Sequence, residues 1–314
     1  MPLRLFYSDL YTIDLPAGHR FPMQKYRALR GALEGDARFE FEPSPLATRE
    51  EVELAHDGTY TSRFLEGKLS RQEIRRIGFP WSDQLVRRTL ASAGGTLAAT
   101  RRAWQHGCSG ALAGGTHHAF FAEGSGYCVF NDIAIGILWL KETGKVRRAA
   151  VIDLDVHQGD GTAAIFQDDP DVLTFSIHNE NNFPLRKQVS KRDIALPDGM
   201  NDPEYLRVLD ANLPTVFDFK PEVVFFQAGV DVLATDRLGR LALTHEGLLR
   251  RDRTVLSACL SRDIPVVITI GGGYSDPIEP TVQAHANTFR TAAEIFRSPA
   301  ARVEAADPRD FMIR

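Results

Sequence analysis

Three cysteines, Cys108, Cys128 and Cys259, are all that this chain of 314 residues has, and no Cys-x-x-Cys spacing occurs. A scattered, odd set builds neither a disulfide framework nor a thiolate metal site, and it fits a reducing, cytoplasmic setting. Long apolar runs are missing too: none approaches the roughly 20 residues that cross a bilayer. The opening from Met1 to Asp9 alternates like a strand, without the basic, apolar and small-residue regions of a signal peptide. Nor is there a basic excess, because 37 Lys and Arg face 41 Asp and Glu for a net charge of −4. That balance argues against nucleic-acid or membrane binding, which would need a cationic surface. Repeats, low-complexity tracts and linkers are absent, so residues 1–314 read as one domain with 43% hydrophobic content to fill a large core.

What is present is an alternation of short apolar runs with helical patterns. Arg4 to Tyr7, Ser109 to Gly114, Arg148 to His157, Val172 to His178, Glu222 to Gly229 and Pro265 to Ile270 read as strands, several apolar on both faces. Leu85 to Gln105, Asn131 to Lys141, Asp202 to Phe217, His245 to Ser261 and Pro280 to Phe296 have helical lengths and spacing. The order implies an α/β fold with a mostly parallel sheet between helix layers. Lys68 to Arg76 reads as a solvated loop or helix face, and the tail after Pro299 as a loose end.

Ligands of an open parallel sheet bind beyond the carboxyl ends of its strands. Polar clusters stand at those ends: Gly114 to His118, Asp153 to Asp160, Ser176 to His178, Gly229 to Asp236 and Gly271 to Tyr274. In the strand from Arg148 to His157, Asp153, Asp155 and His157 would share one face. Buried carboxylates need a partner, and Asp with His suits zinc or ferrous iron. A salt-bridged acid cluster is the plainer alternative. His117 and His118 follow a glycine turn, and each could donate a ring N–H to Asp153 or Asp160 as acid–base equipment. Asp231 and Asp236 share the next loop, and either could complete a metal site; an ordinary Asp turn would also account for them. Gly271, Gly272 and Gly273 lack any phosphate-cradle pattern, but Tyr274 after them could donate to an oxyanion or simply pack. Gly126, Tyr127 and Phe183 could wall an apolar channel, though aromatics are more often core.

Together these motifs, from His19-Arg20-Phe21-Pro22-Met23-Gln24-Lys25-Tyr26 through Tyr274, resemble the zinc-dependent histone deacetylase superfamily, which includes acetylpolyamine amidohydrolases and acetoin-utilisation proteins. The resemblance implies an arginase/deacetylase-like three-layer sandwich. It implies Asp155, His157 and Asp236, not Asp231, as ligands of a catalytic zinc, or of ferrous iron in the cell. His117 and His118 match the paired catalytic histidines, Asp153 and Asp160 their carboxylate partners, and Tyr274 the catalytic tyrosine. Gly126, Tyr127 and Phe183 match substrate-tunnel positions. Asp153, Ser176 and Ile177, with backbone oxygens of Asp155 and His157, match a structural potassium site. Gln158 follows His157 where class I members commonly repeat His, and Tyr127 replaces a frequent Phe; the short chain, His157-Gln158-Gly159 and the neighbourhood of Gly239 look more like class IV and its bacterial relatives. The implied activity is deacylation of an ε-acyl-lysine, with an acidic rim attracting the amine side and a pocket that admits medium or long acyl chains. Acylpolyamine hydrolysis, an arginase-like dinuclear manganese site and a noncatalytic acyl-lysine-binding module are the alternatives, and no oligomeric state follows.

Overall fold

The computed structural model describes residues 1–296, and the loose end expected after Pro299 lies outside them. Eight strands form one sheet: β1 (Leu3–Tyr7), β2 (Phe39–Pro43), β3 (Cys108–Ala111), β4 (Ala149–Asp153), β5 (Val172–Asn179), β6 (Arg192–Leu196), β7 (Val223–Gln227) and β8 (Val266–Thr269). Their order is β2-β1-β3-β8-β7-β4-β5-β6, and every neighbouring pair is parallel. The central strands β4, β7 and β8 are buried along their whole length, as their unbroken apolar runs require of a sheet covered on both faces.

Helices flank the sheet in two groups. Asp83–His106 packs on β1, β3 and β8 and against Asp132–Glu142. Gln24–Leu33, His245–Leu260 and Glu279–Phe296 pack together, and Asp202–Asn212 joins them through His245–Leu260. The long helix Asp83–His106 starts where the Ser82 side chain accepts the Leu85 N–H and stops at Gly107, whose φ is 86°. The single helix expected from Asp202 to Phe217 is two, Asp202–Asn212 and Pro214–Asp218, because Pro214 has no N–H to continue the first. The arginine-rich segment forms the short helix Arg71–Ile77, opened by a Ser70 capping box.

Because all strands run one way, all their carboxyl ends open on one edge. The five polar clusters are therefore carried to the same rim.

Candidate active site

Strand β4 ends at Asp153, earlier than its apolar run suggested, so Asp155 and His157 do not share a strand face with Asp153. A turn places them instead. The Asp155 N–H donates to Asp153 Oδ1 at 3.1 Å, and the His157 N–H to Asp155 Oδ1 at 3.0 Å, each carboxylate fixing the backbone two residues on. His157 Nδ1 ends 3.0 Å from Asp155 Oδ1 and 3.0 Å from Asp231 Oδ2. Ligand-type atoms of Asp155, His157 and Asp231 all lie within 4.8 Å of one another, and all three residues are buried. Asp155 Oδ2 accepts the Gly272 N–H at 2.7 Å, and Asp231 Oδ1 the Val156 N–H at 2.9 Å. Position 272 has to be glycine, since a Cβ there would stand 1.8 Å from Asp231 Oδ2.

The carboxylate gathered with Asp155 and His157 is thus Asp231, where Asp236 was expected. Asp236 is spent on the backbone: Oδ1 accepts the N–H groups of Leu238 at 2.8 Å and Gly239 at 3.0 Å, and Oδ2 that of Tyr274 at 2.6 Å. Electrostatically the two carboxylates of the cluster draw positive charge to it. Although burial pulls the other way, Asp155 and Asp231 push His157 up to about 10, and burial together with the Asp155 charge pushes Asp231 up to about 7. Two desolvated carboxylates and an imidazole converging at this distance are a donor set suited to a divalent cation.

The paired histidines lie beside the cluster. His117 Nδ1 is 2.7 Å from Asp153 Oδ2 and His118 Nδ1 is 2.6 Å from Asp160 Oδ1, with ring centroids 4.1 Å apart. Burial opposes a charge on either ring. For His117, Asp153 and Asp155 overcome it and lift the ring to about 9; His118 is pushed down to about 4 by burial and by His117. Their loop is moored by Asp132, which accepts the N–H groups of Gly115 at 2.9 Å and Thr116 at 2.7 Å.

Tyr274 faces the same cavity, of about 320 Å³, and burial holds its phenol well above the ordinary value. Phe183 stacks edge-on to His118 at 4.9 Å, and Gly126 lets the two approach. Tyr127, at φ 66°, lies 5.2 Å from Phe21 and 6.4 Å from Tyr274. The expected tunnel residues therefore do line one space. Where an acidic rim was expected stand the exposed Arg75 and Arg76, the latter paired with Glu123, while Arg88 is buried deeper; Asp155 is the one carboxylate among the described lining residues. Across β4 and β5, Asp153 and Ser176 are register partners, and Ser176 Oγ is 2.9 Å from His178 Nδ1.

Three supporting residues escaped the sequence reading. Asp132 follows the helix cap Asn131 and looks like an ordinary first-turn acid. Arg251 is fully buried and donates to Leu154 O at 3.2 Å and Gly229 O at 2.6 Å, bracing the turns that carry Asp155 and Asp231. In sequence it stands among charged neighbours, Arg250-Arg251-Asp252-Arg253, with nothing to mark it as buried. Arg88 did leave a signal, a cation on the helical stripe of Leu85, Thr89, Ser92 and Thr96, all buried.

Residues 19–289 match the profile of the histone deacetylase domain. The chain is 44% identical to an uncharacterized protein of Picosynechococcus sp. over 94% of its own length and 100% of that protein's. It is 32% identical to a probable deacetylase of Archaeoglobus fulgidus, covering 73% of this chain and 67% of that one. Its fold resembles the crystal structure of the HDA15 HD domain with a TM-score of 0.76 at 18% identity, over 94% of this chain and 88% of that one.

Proposed function

The chain belongs to the histone deacetylase family, whose hydrolases cleave amides, and from that premise we propose that it deacylates the ε-amine of an acylated lysine with a divalent cation, zinc or ferrous iron, held by Asp155, His157 and Asp231. The observation that carries this reading is the convergence on one cavity of Asp155 and His157, with Asp231 held within 4.8 Å behind them, of the two carboxylate-backed histidines and of Tyr274. Such a cation would supply Lewis-acid chemistry, acidifying water and polarising the amide carbonyl.

The chain's own groups do the rest. Neutral over the physiological range, His118 can take a proton at Nε2, because Asp160 holds the Nδ1–H and steadies the imidazolium that forms. Passing that proton to the lysine nitrogen lets the amine leave. Tyr274 keeps its O–H and can donate it to the developing oxyanion. His117, backed by Asp153, adds positive charge beside the same carbonyl. Asp153, Ser176 and Ile177, with the turn's carbonyl oxygens, are the proposed seat of a structural potassium ion; the pairing of Asp153 with Ser176 supports it.

Against the other readings stand particular features. A polycationic acylpolyamine would meet Arg75 and Arg76 at the rim. A dinuclear manganese site would need a second ligand group, and among the described residues Asp155, His157 and Asp231 form the only one. A binding module has no need of His117, His118 and Tyr274 together. The test is turnover of an Nε-acetyl-lysine peptide by the metal-loaded protein. Chelation should abolish it and zinc, ferrous iron or cobalt restore it, while Tyr274→Phe should lower kcat by about 10²-fold, the cost of one oxyanion donor. Full activity in demonstrably metal-free protein, or wild-type turnover by metal-loaded Tyr274→Phe, would overturn the assignment.

A further inference from the structure

Arg88 is 8% exposed, yet its guanidinium makes no hydrogen bond or ion pair with any described residue. Its surroundings are aromatic: the guanidinium carbon lies 5.1, 4.9 and 5.8 Å from the ring centroids of Phe21, Tyr26 and Phe79. Arg251, also buried, shows what such a group ordinarily requires, since it holds Asp252 at 2.8 Å and two backbone carbonyls. Stacking on rings recovers about 0.5–2 kcal/mol for a cation. The rings satisfy none of its N–H donors, which stay accessible and unpaired.

The unmet demand opens into the catalytic cavity. Arg88, Ser92 and Thr116 line it together with His117, His118 and Tyr274, and the Phe21 ring that Arg88 covers is 6.4 Å from the ring of Tyr274. Where Arg75 and Arg76 are exposed at the rim, Arg88 sits inside on the helix Asp83–His106. Arg76 already has Glu123 as a partner. A guanidinium is a planar fork of donors matched to a carboxylate. An alkyl tail pushed against it would instead bury it further without a partner.

We propose that Arg88 forms a carboxylate subsite inside this cavity, and that the acyl group hydrolysed here is the half-amide of a short dicarboxylic acid, of succinyl or glutaryl size. The inference rests on the acyl-lysine reading and names its acyl class. Water adds its oxygen to the amide carbonyl, the C–N bond breaks, the nitrogen takes up both protons of the water to leave as the lysine ammonium, and the acyl group leaves as a dicarboxylate. Arg88 touches only the terminal carboxylate of the acyl group. It discriminates between substrates and takes no part in proton transfer.

One peptide carrying Nε-acetyl-, butyryl-, succinyl- or glutaryl-lysine tests this, because butyryl and succinyl match in length and differ at the end that would meet Arg88. With the metal-loaded wild type, kcat/KM for succinyl or glutaryl should exceed that for butyryl by about tenfold or more, the scale of one charge-assisted hydrogen-bonded pair. Arg88→Met keeps the stacked volume without the charge and should reverse that ratio; Arg88→Lys should retain part of it. A wild type that prefers butyryl overturns the proposal, and this arm decides even where Arg88→Met does not fold. A succinyl preference that survives in folded Arg88→Met overturns the assignment to Arg88. If acetyl-lysine is turned over and the dicarboxylic acyls are not, this inference alone fails; silence on every acyl-lysine removes the deacylase reading and the inference with it.

Discussion

Asp236 shares its loop with Asp231 but spends both oxygens on backbone N–H groups, including that of Tyr274 at 2.6 Å. Its carboxylate therefore holds the tyrosine's backbone, and in the proposed site the cation falls to Asp231, whose Oδ2 lies 3.0 Å from His157 Nδ1. Replacing either acid by asparagine separates the roles. Asp231→Asn should lose most of the bound metal, because a neutral amide replaces a charged ligand. Asp236→Asn should retain metal near one ion per chain and lower kcat by about tenfold to 10²-fold, as a loosened oxyanion donor would. Metal content per chain and kcat on the same preparations decide it; loss of metal in Asp236→Asn would restore that residue to the ligand set. Sequence could not choose between the two acids. Both follow a buried strand in a polar loop, and the choice depends on which oxygen meets His157, a contact spanning 74 positions.

At the level of elements, the buried strands and long helices were legible because their apolar patterns are unbroken. The edge strands were not. Strand β2 reads Phe-Glu-Phe-Glu-Pro and β6 carries Arg192 and Asp193, so neither has a continuous apolar run, and their pairing partners come from distant segments. The paired histidines and their acids were legible as residues, while the mooring of their loop by Asp132 is a tertiary contact. The Gly126 turn shows how closely such loops are set. Gly126 has φ 53°, its N–H reaches Arg76 O at 3.1 Å, and a Cβ there would lie 2.8 Å from the His118 ring and 3.0 Å from Phe183. Gly126→Ala should cost about 1–2 kcal/mol from the left-handed backbone and displace His118 or Phe183. We expect a lower Tm and a loss of kcat of about tenfold or more, since a misplaced base costs rate steeply. Unchanged kcat in Gly126→Ala would show that His118 does not need this packing.

For the whole molecule, acid acts on histidines outside the site as well as on His118 within it. His56 is buried and pushed down to about 4 by that burial. Its neutral ring uses both nitrogens: Nδ1–H donates to Phe121 O at 3.2 Å, and Nε2 accepts the Asn131 N–H at 2.7 Å. Asn131 caps the helix Asp132–Glu142, and Asp132 holds the loop before His117 and His118. The unfolded chain binds a proton at His56 below about 6.5, whereas the folded chain resists until about 4. Stability from this group is therefore complete above about pH 6.5 and lost as pH falls toward 4, roughly 3 kcal/mol in all. His178 and His118, both pushed down to about 4 mainly by burial, act in the same direction. The raised rings oppose this: His117 at about 9 and His157 at about 10 contribute stability that is full below about 6.5 and fades as pH rises through those values. Tm of the metal-free protein should accordingly fall on both sides of a maximum near neutrality, with the acid limb beginning near 6.5. His56→Asn removes the titrating group, so it should lower Tm at pH 7 and flatten the acid limb between 6.5 and 4. If its Tm curve runs parallel to that of the wild type across this range, the acid sensitivity arises elsewhere and the route from His56 through Asn131 to the catalytic loop carries none of it.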